Sequence, residues 1–465
     1  MDQIVSRFLV SSSCPFRKSM KLHSLTIAAL VLFILSGVLY WSGRHKPEEN
    51  AAKISADTPP PILKLDQNAI TKLELKKKDA DPIVLTKSSS GDWQITEPKP
   101  FRADQSAVTG LASTVSSLNS ERVVEDKASD LQSFGLDQPL LEVDLTQKDK
   151  KTQKLMLGGD TPAGGAVYAM LAGDPRLFTV ASYTKTSLDK SLNDLRDKRL
   201  LPVNSDKVIR IELVRKNSDI EFGRNKDDWQ ILKPEPMRAD GVQVGDLMRD
   251  LTNAKMDLSS ADAKQESSEF AHATPVATAK VTDESGTQQL QLRKNKDTYY
   301  AKSSAVEGEY KVDSALGKAL EKNVDDFRDK KLFAFGYNDP NKIELHNGAK
   351  SCFLTRGTAG TDDWWSNGKK MDAANVESLI SDLRDLTASS FPASGFSKPA
   401  IGITVTSEDG KRTETIQIAK SGDQYIARHE NEPALYQLDS SAVDGLLKAA
   451  EELKPAATQS TPKKP

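Results

Sequence analysis

Asp104-Gln105-Ser106-Ala107-Val108-Thr109-Gly110-Leu111-Ala112-Ser113-Thr114-Val115-Ser116-Ser117-Leu118 is the stretch from which the fold is read. Val108, Leu111, Ala112, Val115 and Leu118 share one stripe of a 3.6-residue helix, and the leading aspartate suits the unpaired amides of a first turn. The same offsets recur after Asp240, at Val244, Leu247, Met248, Leu251 and Ala254. They recur again after Asp372, at Val376, Leu379, Ile380, Leu383 and Leu386. Three helices of one design are therefore predicted, each starting polar and burying one face.

Working outward, a tryptophan follows an acidic residue before each helix, in Asp92-Trp93, Asp228-Trp229 and Asp363-Trp364. The three tryptophans stand 136 and 135 residues apart, a spacing close to one domain and far above solenoid periods. Leu73-Glu74-Leu75, Ile211-Glu212-Leu213 and Ile343-Glu344-Leu345 alternate as strands with one buried face do. After each helix come a proline-ended turn, a strand meander (Leu141–Leu145, Ala277–Val281, Ile401–Val405 and the runs beyond) and a second helix. Each module thus reads as α+β: antiparallel strands, helix, strands, helix.

The residues of the first module resemble a bacterial domain-of-unknown-function family, number 4340. The likeness is carried by Leu73-Glu74-Leu75, Trp93-Gln94-Ile95 with Pro98 and Pro100, Phe134-Gly135-Leu136, Leu157-Gly158 with Thr161-Pro162 and Tyr168-Ala169, and Leu195-Arg196-Asp197-Lys198. It is good across the first repeat, fair across the second and degenerate in the third. It implies a membrane-tethered envelope protein, in some cases encoded near gliding-motility-type ABC transporter subunits, and it supplies no catalytic residues.

Leu25 to Trp41 carries no charge, and its 17 residues are at the short end of what spans a bilayer. Arg7, Arg17, Lys18 and Lys21 precede it, which favours an N-terminus inside and a body outside the cytoplasm. A cleaved signal peptide is the alternative, although the run exits through Tyr40, Trp41, Ser42, Gly43 and Arg44 without a small-residue cleavage site. Met20 would itself make a conventional start. The division expected is a cytoplasmic segment at 1–24, a transmembrane helix at 25–42, a proline-containing stalk at 43–63, modules at 64–201, 202–335 and 336–453, and a tail at 454–465. Fragments cut near residues 202 and 336 are expected to fold alone.

A net charge of −2 with 28% charged residues describes a well-solvated surface without the basic bias of a nucleic-acid binder. The two cysteines, Cys14 and Cys352, fall on opposite sides of the membrane in this topology and cannot pair. Five scattered histidines form no i, i+4 pair and stand near no cysteine cluster, so no metal site is expected. No Ser/His/Asp order, activated cysteine or singled-out acid pair points to catalysis, and no cofactor is expected.

Two places are candidate binding sites. Gly158 to Gly165 holds Asp160, Thr161 and Gly164; it lacks the Gly-Lys-Ser/Thr ending of a phosphate loop, joins two strands, and is shortened in the other repeats to Asn295-Lys296-Asp297 and Ser421-Gly422-Asp423. Trp364 and Trp365 are adjacent strand residues, so one faces away from the core. Arg196-Asp197-Lys198-Arg199-Leu200 and Arg328-Asp329-Lys330-Lys331-Leu332 close the first two modules and read as joints of a semi-rigid rod, since the third module ends in Glu451-Glu452-Leu453-Lys454-Pro455. The function expected is a non-enzymatic, membrane-anchored extracytoplasmic scaffold or adaptor, accessory to an ABC-transporter-type complex of the inner membrane. The alternative is an extracytoplasmic binding protein for glycan, lipid or peptide.

Overall fold

The computed structural model describes residues 60–226, 228–259, 263–336, 339–357 and 363–457. They form three antiparallel sheets, taken here in chain order. The first contains β1 (Ile70–Lys77), β2 (Ile83–Lys87), β3 (Trp93–Glu97), β4 (Phe101–Arg102), β5 (Arg122–Glu125), β6 (Leu141–Gln147), β7 (Thr152–Asp160), β8 (Ala166–Leu171) and β9 (Leu177–Ala181). Their spatial order is β4-β3-β2-β1-β6-β7-β8-β9-β5. The chain meanders outward from β1, crosses back through a helix, and lays β6 along the free side of β1 with Leu73 opposite Leu145 and Leu75 opposite Val143.

The second sheet contains β10 (Arg210–Val214), β11 (Asp219–Asn225), β12 (Asp228–Lys233), β13 (Met237–Arg238), β14 (Thr274–Asp283), β15 (Gly286–Asn295), β16 (Thr298–Ser303) and β17 (Glu309–Val312), in the order β13-β12-β11-β10-β14-β15-β16-β17. The third contains β18 (Lys342–Asn347), β19 (Lys350–Arg356), β20 (Trp364–Ser366), β21 (Lys369–Lys370), β22 (Ala388–Ser390), β23 (Ile401–Ser407), β24 (Arg412–Ser421), β25 (Gln424–His429) and β26 (Leu435–Leu438). Its order, β21-β20-β19-β18-β23-β24-β25-β26-β22, repeats that of the first.

Helices α1 (Gln105–Ser116), α2 (Ser182–Leu188) and α3 (Leu192–Leu195) cover the core face of the first sheet, α4 (Gly241–Thr252) and α6 (Ser314–Glu321) that of the second, and α7 (Ala373–Asp385) and α8 (Ser440–Glu451) that of the third, while α5 (Ala263–His272) lies on the opposite face of the second sheet, against Arg293, Asn295 and Glu309. The capping aspartates explain where the crossover helices begin. Asp104 accepts from the amides of Ser106 and Ala107, Asp240 from those of Val242 and Gln243, and Asp372 from that of Asn375. Their apolar stripes meet the buried alternate residues of the strands, giving one core per sheet. Trp93, Trp229 and Trp364 are each buried in the core of their own sheet.

Two corrections to the expected fold class follow. The modules are not balanced α+β units: strand outweighs helix, 42% against 24%, and each module is built on one large antiparallel sheet. Short strands such as β4 and β21, two residues each, carry too little alternation to be read as sheet, so the sequence understates the strand content. Second, among the described residues no helix is long and apolar enough to cross a membrane. The expected transmembrane helix at 25–42 lies outside the described residues, as do the 1–24 segment and most of the stalk and tail.

The described residues divide into two compact units on either side of the Arg196–Asp197 bond, the second holding two sheets. Within the first unit the amide of Asp104 donates to the carbonyl of Leu195, tying the module's last turn to the start of α1. Within the second unit the amide of Leu200 donates to Ala254, and Leu200 and Leu201 are fully buried in the core of the second sheet.

Inside the second unit, the link between its two sheets has no slack. Asp240 donates its amide to Phe327 and Asp329 donates to Arg238, so residues 327–329 pair with the second sheet's crossover. Immediately after, Ala388 donates to Lys330 and Leu332 donates to Leu386, so residues 330–332 pair with the third. Arg238 fastens this seam: its guanidinium bonds Asp329 at 2.5 Å and the carbonyl of Lys331, and reaches His429 Nε2 at 3.1 Å and Glu414 at 3.8 Å. Arg328 adds a second clasp, with its guanidinium 3.6 Å from the Phe391 ring centroid.

Candidate functional site

The glycine-rich turn of the first module is explained by packing. An added Cβ at Gly158 would lie 2.2 Å from the carbonyl oxygen of Phe134, and one at Gly135, whose φ is +66°, would lie 3.0 Å from the amide nitrogen of Gly159. The Phe134-Gly135-Leu136 turn therefore rests directly on the backbone of β7, with Phe134 set edge-on to Tyr168 at 4.8 Å. In the second sheet, register puts Arg293 at the place of Gly158, opposite Pro275 and one residue beyond the Ala277–Leu292 pair. Its guanidinium donates to the carbonyls of Phe270 and Ala271 and stacks on the Phe270 ring. One sheet solves this contact with no side chain, the other with a long one.

Of the candidate residues here, Thr161 is buried, its hydroxyl donating to the carbonyls of Ala166 and Gly164. Gly164 and Gly165 take φ of +73° and +80°, which aims the Gly165 carbonyl at the amide of Ser182, the first residue of α2. Asp160 is exposed and lies 3.4 Å from Lys185. The turn thus presents one solvent-facing carboxylate already next to a cation.

Trp364 and Trp365 part company. Trp364 is 7% exposed and packs in the third core, whereas Trp365 is 40% exposed on the opposite face. Register shows what surrounds it. Trp365 is opposite Thr355, Thr355 is opposite Lys342, and Lys342 is opposite Thr406. Two residues along, Phe353 faces Glu344, and Glu344 faces Thr404. Phe353 is 41% exposed, and its ring meets that of His346 edge-on at 5.4 Å. Three rings thus share the outer face of the third sheet, on neighbouring strands.

That face differs from its two counterparts. In the first sheet the outer residues of β1 are tied by Lys72–Glu74, Lys76–Glu74 and Lys76–Asp144 ion pairs of 3.1, 3.1 and 2.8 Å. In the second, Glu221 takes Arg210 at 3.2 Å and Lys233 at 2.7 Å. Register equates Phe353 with Glu221 of the second sheet, both standing opposite the central Glu of the preceding strand, and Trp365 with Gln230, which follows Trp229. Glu221 is buried beneath its two cations, and Val84, which holds the same register position in the first sheet, is buried as well, whereas Phe353 and Trp365 are both part-exposed.

The second module has a surface cleft of about 550 Å³ between Met256, Asp297, Tyr299, Lys311 and Asp313. It lies beside the short β15–β16 turn, in which Asn295 pairs directly with Thr298, and beside the point where the amide of Asp257 donates to the carbonyl of Lys311 in β17. Among the described residues no group of three or more His, Cys, Asp or Glu converges as metal ligands would. Cys352 is half-buried, and burial raises its thiol pKa, which disfavours the reactive thiolate.

Sequence reasoning singled out Trp365 but missed Phe353 and His346. The available signal was the run Cys352-Phe353-Leu354, where adjacent apolar residues in a one-sided strand force one of them outward. A family model described as a domain of unknown function, DUF4340, matches residues 93–235 and again 229–402. Both matches open on a core tryptophan and run into the sheet that follows, and together they take in more than half the chain. The protein belongs to this family. No curated protein is similar enough to the chain to match it.

Proposed function

We propose that this protein is a non-enzymatic scaffold or adaptor of the bacterial envelope, its modules lying outside the cytoplasm and serving a membrane complex of the ABC-transporter type. The observation that carries this reading is the seam held by Arg238. Two sheets whose linking residues are all paired, and whose clasp is half-buried and charge-matched, make a body suited to holding attached surfaces in fixed relation. Attachment to the inner-membrane bilayer through residues 25–42, with the N-terminus in the cytoplasm, is supported by the uncharged Leu25–Trp41 run and the basic residues before it. The gliding-motility-like transporter subunits suggested by the family resemblance are the partners proposed.

The test is affinity purification from crosslinked native membranes, comparing the full chain with a form lacking residues 25–41. Transporter permease or ATPase subunits recovered with the full chain alone would support the proposal. Recovery of none from either form would refute it.

A further inference from the structure

We propose that the outer face of the third sheet binds a neutral oligosaccharide, with Trp365, Phe353 and His346 as stacking platforms. This goes beyond the adaptor reading and does not depend on which membrane partner is present. The chemistry of the face selects the ligand. Sugars present patches of C–H bonds that pack on aromatic faces and a rim of hydroxyls that needs donors and acceptors, so a sugar site alternates rings with neutral polar groups.

That alternation runs along β19, whose outward residues are Ser351, Phe353 and Thr355, and register sets Thr355 opposite Trp365 and Ser351 opposite His346. His346 Nδ1 is engaged by Ser351 Oγ at 2.8 Å, which fixes the ring beside Phe353. Opposite His346 stands Gly402, where an added Cβ would meet nothing within 4 Å, so a shallow furrow runs beside the ring. Five adjacent strands, β20-β19-β18-β23-β24, give the face a width of about 19 Å, room for a short oligosaccharide across the strands.

The charges nearby are already matched: Lys342 pairs with Glu344, and Lys370 with Asp363 at 2.8 Å. Among the described residues an anionic lipid or nucleic acid would find these cations already paired. A protein partner would be expected to seat a tryptophan in a closed, desolvated pocket, whereas these rings lie on an open sheet.

The experiment titrates the full-length protein, in detergent, with neutral hexasaccharides of β-linked glucose and of β-linked N-acetylglucosamine, read by calorimetry. Saturable binding to either is expected, little changed by 0.5 M salt. Trp365→Ala and Phe353→Ser are each expected to weaken it roughly tenfold or more, about 1.4 kcal/mol per tenfold, with thermal unfolding unchanged. Gln230→Ala, the corresponding position of the second sheet, should leave binding intact. No binding of either sugar, binding abolished by salt, or wild-type affinity in the Trp365→Ala and Phe353→Ser variants would overturn the proposal.

Discussion

A single methyl group separates two glycines that sequence alone treats alike. Gly158 lies against the Phe134 carbonyl with no room for a Cβ, whereas at Gly159 the nearest atom is that same oxygen at 3.7 Å, an ordinary contact. Gly158→Ala should therefore cost roughly 2 kcal/mol through forced backbone movement, and Gly159→Ala less than about 1 kcal/mol, as urea denaturation would show. Adjacent tryptophans make a second such pair. Trp364→Ala should destabilise by about 3–5 kcal/mol because it empties a core site, while Trp365→Ala should leave the urea midpoint nearly unmoved. Equal losses in the two variants would mean that the assignment of faces is wrong.

At the scale of elements, the seam between the second and third sheets has a pH signature. Arg238 can only donate, so the His429 Nε2 it meets is the lone-pair nitrogen of a neutral imidazole. Burial, and then the charges of Arg238 and Arg412, push the His429 pKa down from 6.5 to about 4, while the Tyr436 ring packs edge-on at 5.4 Å and the Glu414 carboxylate approaches Arg238. In the unfolded chain the same imidazole takes up its proton near its ordinary value. The unfolded state then binds more protons between about pH 6.5 and 4, so the folded state loses stability as pH falls through that window and regains it as pH rises. The full effect is about 3 kcal/mol. Urea midpoints measured across this range should slope less in a His429→Gln variant than in the wild type; parallel slopes would remove His429 from the account.

The three crossover helices were legible because a cap and a 3.6-residue stripe are local, and Asp104, Asp240 and Asp372 announce them, whereas α5 (Ala263–His272) was not, its last residues falling where a proline-ended turn was expected. The sheets were not legible as sheets. Nothing near Leu73 says that its neighbour on one side is Leu145, and only that pairing turns two meanders into one nine-stranded sheet. The same limit hid the aromatic face, because Phe353 and His346 become neighbours of Trp365 only through register. The glycine-rich turn was read correctly as a hairpin connection, but its cause, the backbone of residues 134–136, lies more than 20 residues away.

For the whole molecule, residues 197–465 must behave as one body if they are to hold attached surfaces in fixed relation. Leu200 and Leu201 belong to the core of the second sheet and Leu332 and Phe333 to that of the third, so fragments are best divided at residue 196. Replacing Arg238 by Met removes the guanidinium from Asp329 and leaves Glu414 to Arg412, a loss of about 1.5–3 kcal/mol for a half-buried, charge-assisted contact. The most direct test of the scaffold claim is differential scanning calorimetry of the 197–465 fragment at neutral pH. One cooperative transition is expected, with calorimetric and van't Hoff enthalpies equal, resolving into two in the Arg238→Met variant. Two separate transitions in the unaltered fragment would contradict the account, because its sheets would then be independent beads and not a rigid support.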